Sequence, residues 1–252
     1  MLLSELTWPE VKTLIPDTPV LVPVAATEQH GPHMPIFTDS LLLGEIVRRA
    51  HEILTNRVLI TPLMWLGNSD HHLDFAGTLS ARPRVYLELL NGIIDDLLHH
   101  GFRRILIING HGGNDVPGKQ AIYEARQRYR NRSDLLLLFA TYWALAEEPQ
   151  RSHPDLHQTR MGHACEWETS MMLRLRPELV RNHLGTPAVP FGKPFEPASR
   201  GWIMTDRSSP GHVGDPTIAT PEKGEALFAS FTAGLVAMVE RMIAWDGSSW
   251  DG

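Results

Sequence analysis

Short, unbroken apolar runs alternate along this chain with longer stretches in which apolar residues recur every three or four positions. Residues 20–25 (Val-Leu-Val-Pro-Val-Ala), 58–60, 104–108 and 135–140 have the length and continuity of strands covered on both faces. The periodic stretches between them read as helices. One covers 39–54, with Thr38 as N-cap and Leu42, Leu43, Ile46, Ala50 and Ile53 on one stripe. Another covers 84–100, with Val85, Leu89, Ile93 and Leu97 aligned and Gly101 as its stop. A third follows the Gly-rich segment 109–114 and runs to about Arg130. A short amphipathic helix over 4–15 (Leu6, Val11, Leu14, Ile15) precedes the first strand. Helices over 163–176, closed by Pro177, and 221–244, with Leu227, Phe231, Leu235, Met238 and Met242 inward, complete the chain. Residues 63–80 and 185–218 lack either period and read as loops, and 245–252 as a loose tail.

The order β-α-β-α-β-α-β predicts a mostly parallel central sheet with helices on both faces, a three-layer α/β/α sandwich. Nothing resembling a linker divides the 252 residues, so 1–252 is taken as one domain. Sites in such sheets form beyond the carboxyl ends of the strands. The segments around 28–33 and 109–114 both fall at such ends. The loops 63–75, 141–160 and 195–213 are expected to line an entrance.

Composition narrows the function. Hydrophobic residues make up 42% and charged residues 21%, as in a soluble enzyme with a sizeable core. Net charge is −6 with no basic run, which argues against nucleic acid or an anionic membrane as partner. A lone Cys165 excludes an intrachain disulfide. No cationic, secretory-type start is seen, and no apolar run approaches the roughly 20 residues that span a bilayer. The expected location is cytoplasmic.

The candidate chemistry lies in four places. Glu28 and His30, two residues apart after a strand, point the same way; they could be paired ligands or a hydrogen-bonded turn. Asp39 heads the apolar stripe of its helix, so it faces the protein, as a ligand or as a cap. In Asn109-Gly110-His111-Gly112-Gly113-Asn114 the glycines turn the backbone sharply around His111. A phosphate cradle is the alternative there, but the GxGxxG and GK[ST] spacings are missing. In 162–172, Glu168 falls on the stripe of Ala164, Cys165, Met171, Met172 and Leu175, whereas Glu166 falls on the opposite, solvent side. Cys165 has no activating base nearby and is read as core, not nucleophile. The set Glu28, His30, Asp39, His111 and Glu168 mixes imidazoles and carboxylates without thiolate, which suits Zn, Mn or Fe. Five ligands exceed the needs of one catalytic ion; a carboxylate shared by two ions about 3.5–4 Å apart accounts for the number.

These segments, with Gly77-Thr78 and Gly214-Asp215-Pro216, resemble the creatininase (creatinine amidohydrolase) family over nearly the whole chain, in order. The resemblance implies a three-layer α/β fold, two divalent metal ions per subunit and homo-oligomers up to hexamers. It places Glu28, Asp39 and His111 on one metal, and His30 and Asp39 on the other. Creatininase itself draws a further carboxylate from a Glu two residues after the motif His, beside an aromatic. Those positions are Gly113 and Gly112 here, so Glu168 is expected to supply the ligand, and creatinine is a doubtful substrate. The implied reaction is attack of a metal-bridged hydroxide on a carbonyl, cleaving a C–N bond of a small cyclic amide or formamide. His163 is the expected proton shuttle; His33, His72, Gly112 and Asn114 are expected to contact substrate or support the ligands. The alternatives are ring opening of a cyclic ketone such as a keto-inositol, and a small-molecule or phosphate-binding module without turnover.

Overall fold

The computed structural model describes residues 1–250. Strands β1 (Val20–Val24), β2 (Leu59–Ile60), β3 (Arg104–Asn109) and β4 (Leu136–Thr141) form one parallel sheet in the order β2-β1-β3-β4. Successive side chains of a strand face opposite ways, so each strand feeds two cores. Leu21, Leu106 and Ile108 meet α2 (Thr38–Leu54), α6 (Glu166–Leu175) and α8 (Pro221–Ala244) on one face. Val20, Val22, Val24, Ile105 and Ile107 meet α3 (Pro83–His100) and α4 (Asp115–Arg128) on the other. Covering on both faces is why the strands are apolar without alternation. The chain leaves β1 towards β2 on one side and leaves β3 towards β4 on the other. The strand order therefore reverses between β1 and β3, and a crevice opens beyond their carboxyl ends.

The expected elements are all found, with several boundaries and faces corrected. The opening helix shrinks to α1 (Trp8–Lys12), capped by Thr7 with Glu10. Thr38 lies inside α2, not at its cap; Phe37 takes that place, and the Thr38 hydroxyl donates to the Pro35 carbonyl at 2.6 Å. Ile53 points to solvent. On α3 the buried row is Tyr86, Leu90, Ile94, Leu97 and Leu98, while Val85 is 61% exposed and Leu89 is also outside. Two overlapping rows of apolar residues run along this helix, and packing against α4 selects the one carrying Tyr86. Gly101 ends α3 in the left-handed conformation, at φ 103°.

Helix α6 starts at Glu166, so His163 is not on it. His163 instead pairs with Val213 through two backbone hydrogen bonds of 3.0 and 2.8 Å. Ala164, at φ 51°, then swings the chain into the helix. Gly162 permits the approach, since a Cβ there would lie 2.2 Å from the Val213 carbonyl oxygen. After α5 (Tyr142–Leu145) and α7 (Met204–Arg207), α8 closes the fold. By length and composition α8 is apolar enough to cross a membrane, contrary to the sequence expectation. Its Leu227, Phe228, Phe231, Leu235, Val239 and Met242 are nevertheless packed in the core. The tail is anchored where it begins: Trp245 is buried, and Arg104 donates to its carbonyl at 3.1 Å. Trp250 is exposed, and residues 251–252 of the expected tail lie outside the described residues.

Candidate metal centre

The crevice between β1 and β3 gathers side chains from four segments. Glu28 and His30 follow β1, Asp39 sits in the first turn of α2, His111 follows β3 and Glu168 lies in α6. All five are buried. Asp39 spans the cluster: its Oδ1 lies 3.1 Å from His30 Nε2 and its Oδ2 3.0 Å from His111 Nδ1. Glu28 Oε1 is 3.3 Å from His111 Nδ1, and Glu168 Oε1 is 3.7 Å from His30 Nε2. The five thus divide into Glu28–Asp39–His111 and His30–Asp39–Glu168, sharing one carboxylate.

This arrangement fits divalent cations on three counts. Ligand bonds near 2.0–2.2 Å in a tetrahedron put neighbouring donor atoms roughly 3.3–3.6 Å apart, close to the spacings found. Glu28 Oε2 and Glu168 Oε2 are buried without a hydrogen bond, a costly state for carboxylates that no cation neutralises. Each imidazole also has its outer nitrogen committed to a carbonyl. His30 Nδ1 donates to Glu28 O at 3.1 Å, and His111 Nε2 donates to Asn68 O at 2.9 Å. The lone pairs are thereby fixed towards the carboxylates, the usual orientation of a metal-ligating histidine.

Electrostatics separates these two histidines from their neighbours. Burial opposes a proton on His111, but Glu28 and Asp39 overcome it and lift its pKa to about 10. Burial is likewise overcome at His30, by Asp39 and Glu168, and its pKa stands well above the ordinary value. The same imidazoles hold Asp39 below the carboxylate range despite its burial. Burial raises the pKa of Glu28, against the pull of His111. The surrounding histidines go the other way. Burial and nearby imidazoles push His71 to about 4, His72 to about 2 and His163 well below its ordinary value. The cluster therefore attracts positive charge at two points and is ringed by neutral imidazoles.

His163 donates from Nε2 to the Gln29 carbonyl at 2.8 Å, which leaves Nδ1 facing Glu28 Oε1 at 3.6 Å. His72, which the sequence left open as a solvent loop residue, is buried; its Nε2 lies 3.4 Å from Glu28 Oε1. Gln29 orients it, donating to His72 Nδ1 and to the Gly211 carbonyl, both at 2.7 Å. His33 is also buried but turned away from the cluster, with Nε2 3.0 Å from the Thr169 hydroxyl. Asn114 does not reach the cavity. It clamps the two strand ends instead, accepting from Asn68 N at 2.8 Å and donating to Ala25 O at 3.0 Å. Gly112 lines the cavity with open space before it. Gly113 has none: a Cβ there would lie 2.1 Å from Asn68 O and 2.4 Å from His111 Nε2. A glutamate cannot stand at position 113 in this backbone, and Glu168 reaches the cluster from α6. Cys165 is buried, and burial pushes its thiol up to about 12.

The expectation for Glu166 is overturned. It is 0% exposed, pairs with Lys223 Nζ at 2.7 Å and accepts from Gln158 N at 2.7 Å. A helical wheel shows only the helix's own faces; here α8 and the 157–158 segment cover the side it assigned to water. Sequence reasoning also missed His71, Gln29, Trp143, Trp202, Arg200 and Arg207. His71 stacks on His111 with ring centroids 5.7 Å apart. The pair His71-His72 inside a polar loop was the available signal. For the two arginines there was none, because their segment has no period. A cavity of about 580 Å³ lies over the cluster, walled by Trp143, Met161, Arg200, Trp202 and Arg207.

Fold and cluster together define the class: an α/β protein whose parallel sheet carries a candidate metal-binding cluster at its switch point, beneath a cavity. Within that class the chain belongs to the creatininase family of hydrolases: the family described as creatinine amidohydrolase matches residues 4–239. It is 30% identical to the mycofactocin precursor peptide peptidase of Mycolicibacterium smegmatis over 228 residues, 88% of this chain and 84% of that protein. It is 28% identical to the creatinine amidohydrolase of Pseudomonas putida over 251 residues, 92% of this chain and 93% of that one. Solved creatininase structures, a Zn–Zn form of a mutant and an Mn form, superpose with TM-score 0.82 at 28% identity, covering 96% of this chain and 98% of theirs.

Proposed function

We propose that the chain is a metal-dependent amidohydrolase that cleaves a C–N bond of an amide, formamides and cyclic amides included. The observation that carries this reading is the convergence of three buried carboxylates and two oriented imidazoles at Asp39, with Glu28 Oε2 and Glu168 Oε2 left unpartnered. Glu28, Asp39 and His111 would hold one divalent ion and His30, Asp39 and Glu168 a second, of Zn, Mn or Fe. Such ions supply Lewis acidity, polarising a carbonyl and lowering the pKa of water towards ~7. The protein does the rest. His163, its Nε2–H fixed on the Gln29 carbonyl, presents Nδ1 to the cavity and carries the proton to the departing nitrogen. Its depressed pKa keeps it neutral, and so able to accept. His72 steadies Glu28, and the walls at Trp143 and Met161 limit water. A homo-oligomer that works in the cytoplasm belongs to the same reading.

The reading as a phosphate-binding module finds no support. Of the glycines around His111, only Gly112 faces open space: a Cβ at Gly110 would lie 2.9 Å from Leu43 Cβ, and Gly113 abuts Asn68. The test combines metal analysis with a screen of formamides, lactams, short peptides and keto-inositols. The expected result is near two ions per chain, C–N cleavage, and a His163→Ala variant that keeps its metal and loses turnover. A metal-free, active enzyme, or cleavage confined to the keto-inositols, overturns the proposal.

A further inference from the structure

The cavity above the cluster does not end at its own rim. A second chamber of about 390 Å³ continues it outward, and Met161, Arg200, Trp202 and Arg207 line both. Their joint extent exceeds what a single small ring occupies. The ionisable side chains in the shared wall carry one sign, since Arg200 and Arg207 are the charged residues common to both chambers. Among the described residues neither guanidinium has an ion pair or a side-chain hydrogen bond; each rests on an aromatic ring. Arg207 lies 4.7 Å from the Trp202 centroid and Arg200 6.0 Å from that of Phe195. Arg160, which lines only the outer chamber, differs, because Glu196 meets it at 3.3 Å. Burial and Arg160 both work against the charge on Arg207. Both arginines are solvent-exposed at the cavity mouth, and a guanidinium laid on a ring without an ion pair keeps its N–H donors free for an arriving anion.

Ring packing ties this arginine to the cluster. Trp202, beneath Arg207, stands edge-on to His71 at 4.9 Å, and His71 stacks on His111 at 5.7 Å. Two ring contacts therefore separate the platform under the guanidinium from a proposed metal ligand. An anion held there would lie several bonds from a carbonyl placed over Asp39. The outer chamber also favours charge −1: Arg160, Arg200 and Arg207 face Asp206 and Glu196 in its lining, three cations against two anions, and one negative charge balances the remainder.

We infer that Arg207, with Arg200 in the same wall, receives a carboxylate of the substrate, so that the amide acted on belongs to a molecule of the N-acyl amino acid or short-peptide class. This rests on the amidohydrolase reading and adds its substrate class. A planar fork of N–H donors matches a carboxylate in a bidentate pair, and Trp202 holds the fork flat.

Calorimetric titration of the full-length, metal-loaded chain tests it, with three probes of one shape: N-acetylglycine, its neutral amide and the corresponding N-acetylaminomethylphosphonate. N-acetylglycine should bind at least about tenfold more tightly than the amide, and Arg207→Gln should lose about tenfold of that affinity or more. Arg200→Gln should lose less, and the double variant should bind acid and amide alike. Both arginines are on the cavity surface, so unchanged thermal midpoints are expected of the variants. Equal binding of acid and amide by the unaltered chain overturns the inference. So does a double variant of undiminished affinity, which would place the anion on the metals. Tighter binding of the phosphonate overturns the choice of carboxylate. Failure here is separable from failure of the hydrolase reading, which metal content and the His163→Ala variant decide independently.

Discussion

Replacing Lys223 by Met should destabilise the protein severely, although Lys223 touches neither the cluster nor the cavity. Lys223 Nζ is the cation for Glu166 at 2.7 Å and also donates to the Ile218 carbonyl at 2.6 Å. Glu166 is 0% exposed and Lys223 only 4%. Methionine fills the same space but strands a buried carboxylate, which keeps only the backbone N–H groups of Gln158 and His157 as donors. Breaking a buried pair from one side costs about 3–5 kcal/mol. A domain of this size holds about 5–15 kcal/mol in all, and loses roughly 2–4 °C of midpoint per kcal/mol. The expected fall is therefore roughly 6–20 °C. Adding Glu166→Gln should recover much of it, because a neutral amide in that place no longer needs a cation. Urea denaturation of the wild type, both single variants and the double variant closes the cycle. A loss below about 1 kcal/mol for Lys223→Met would refute the reasoning, since that is the worth of a solvated pair. The pair matters to the site through the chain: Glu166 pins Gln158, and the same loop continues to Met161 and His163 in the cavity wall.

Gly113→Ala should cost about 1–3 kcal/mol by overpacking and weaken metal binding about 10–100-fold, because the new Cβ falls on the Asn68–His111 hydrogen bond; chelator competition that shows unchanged affinity would disprove this. Metal binding should release protons at pH 7, since His111 (about 10) and His30 (raised) must give theirs up; calorimetry in buffers of differing ionisation enthalpy measures this, and no release would contradict the protonation pattern. By the same linkage, the raised His111 pKa stabilises the chelated protein fully below the unfolded value near ~6.5, and that contribution fades as pH rises through about 10. Thermal midpoints of the chelated chain should therefore fall over that window, and those of the metal-loaded chain should not. Tyr86→Phe should leave stability unchanged or raise it by about 1 kcal/mol, because the Tyr86 hydroxyl is buried with no hydrogen bond; a clear loss in urea denaturation would show that the hydroxyl has a partner.

The parallel sheet was legible because its strands are bounded, continuous apolar runs, and such runs survive any detail of packing. Two of the four cluster segments were legible because strand ends in this topology face one crevice, and Asp39 and Glu168 because each is a carboxylate on the apolar stripe of its helix. Faces of helices were less so. Val85 and Tyr86 both belong to apolar rows of α3, and only the position of α4 decides between them. Glu166 carried the same ambiguity in sharper form. A charged residue opposite an apolar stripe reads as solvated, unless a lysine some fifty residues later folds over it, and no local pattern announces that. Arg200 and Arg207 were invisible for a different reason: their place is set by ring contacts with Phe195 and Trp202 within an aperiodic loop.

Under the proposed ligand set, a carboxylate ligand can move between elements while the site persists. A carboxylate ligand has to bring an oxygen to a fixed point, and the backbone that delivers it is free to differ. After β3 the chain packs so closely that position 113 admits only hydrogen, with Asn68 O at 2.1 Å from where a Cβ would stand. That same contact lets Asn68 accept from His111 Nε2 and set the imidazole's tautomer. Closing position 113 to a side chain therefore fixes the His111 ring as it excludes a carboxylate there, and Glu168 stands on another wall of the crevice, 3.7 Å from His30. Gly112 and Gly113 put no bulk on the cavity side, and the space above them is continuous with the chamber that holds Arg200 and Arg207. Room for a substrate longer than a single ring is what the proposed carboxylate subsite requires, and the comparison of acid with amide tests that subsite.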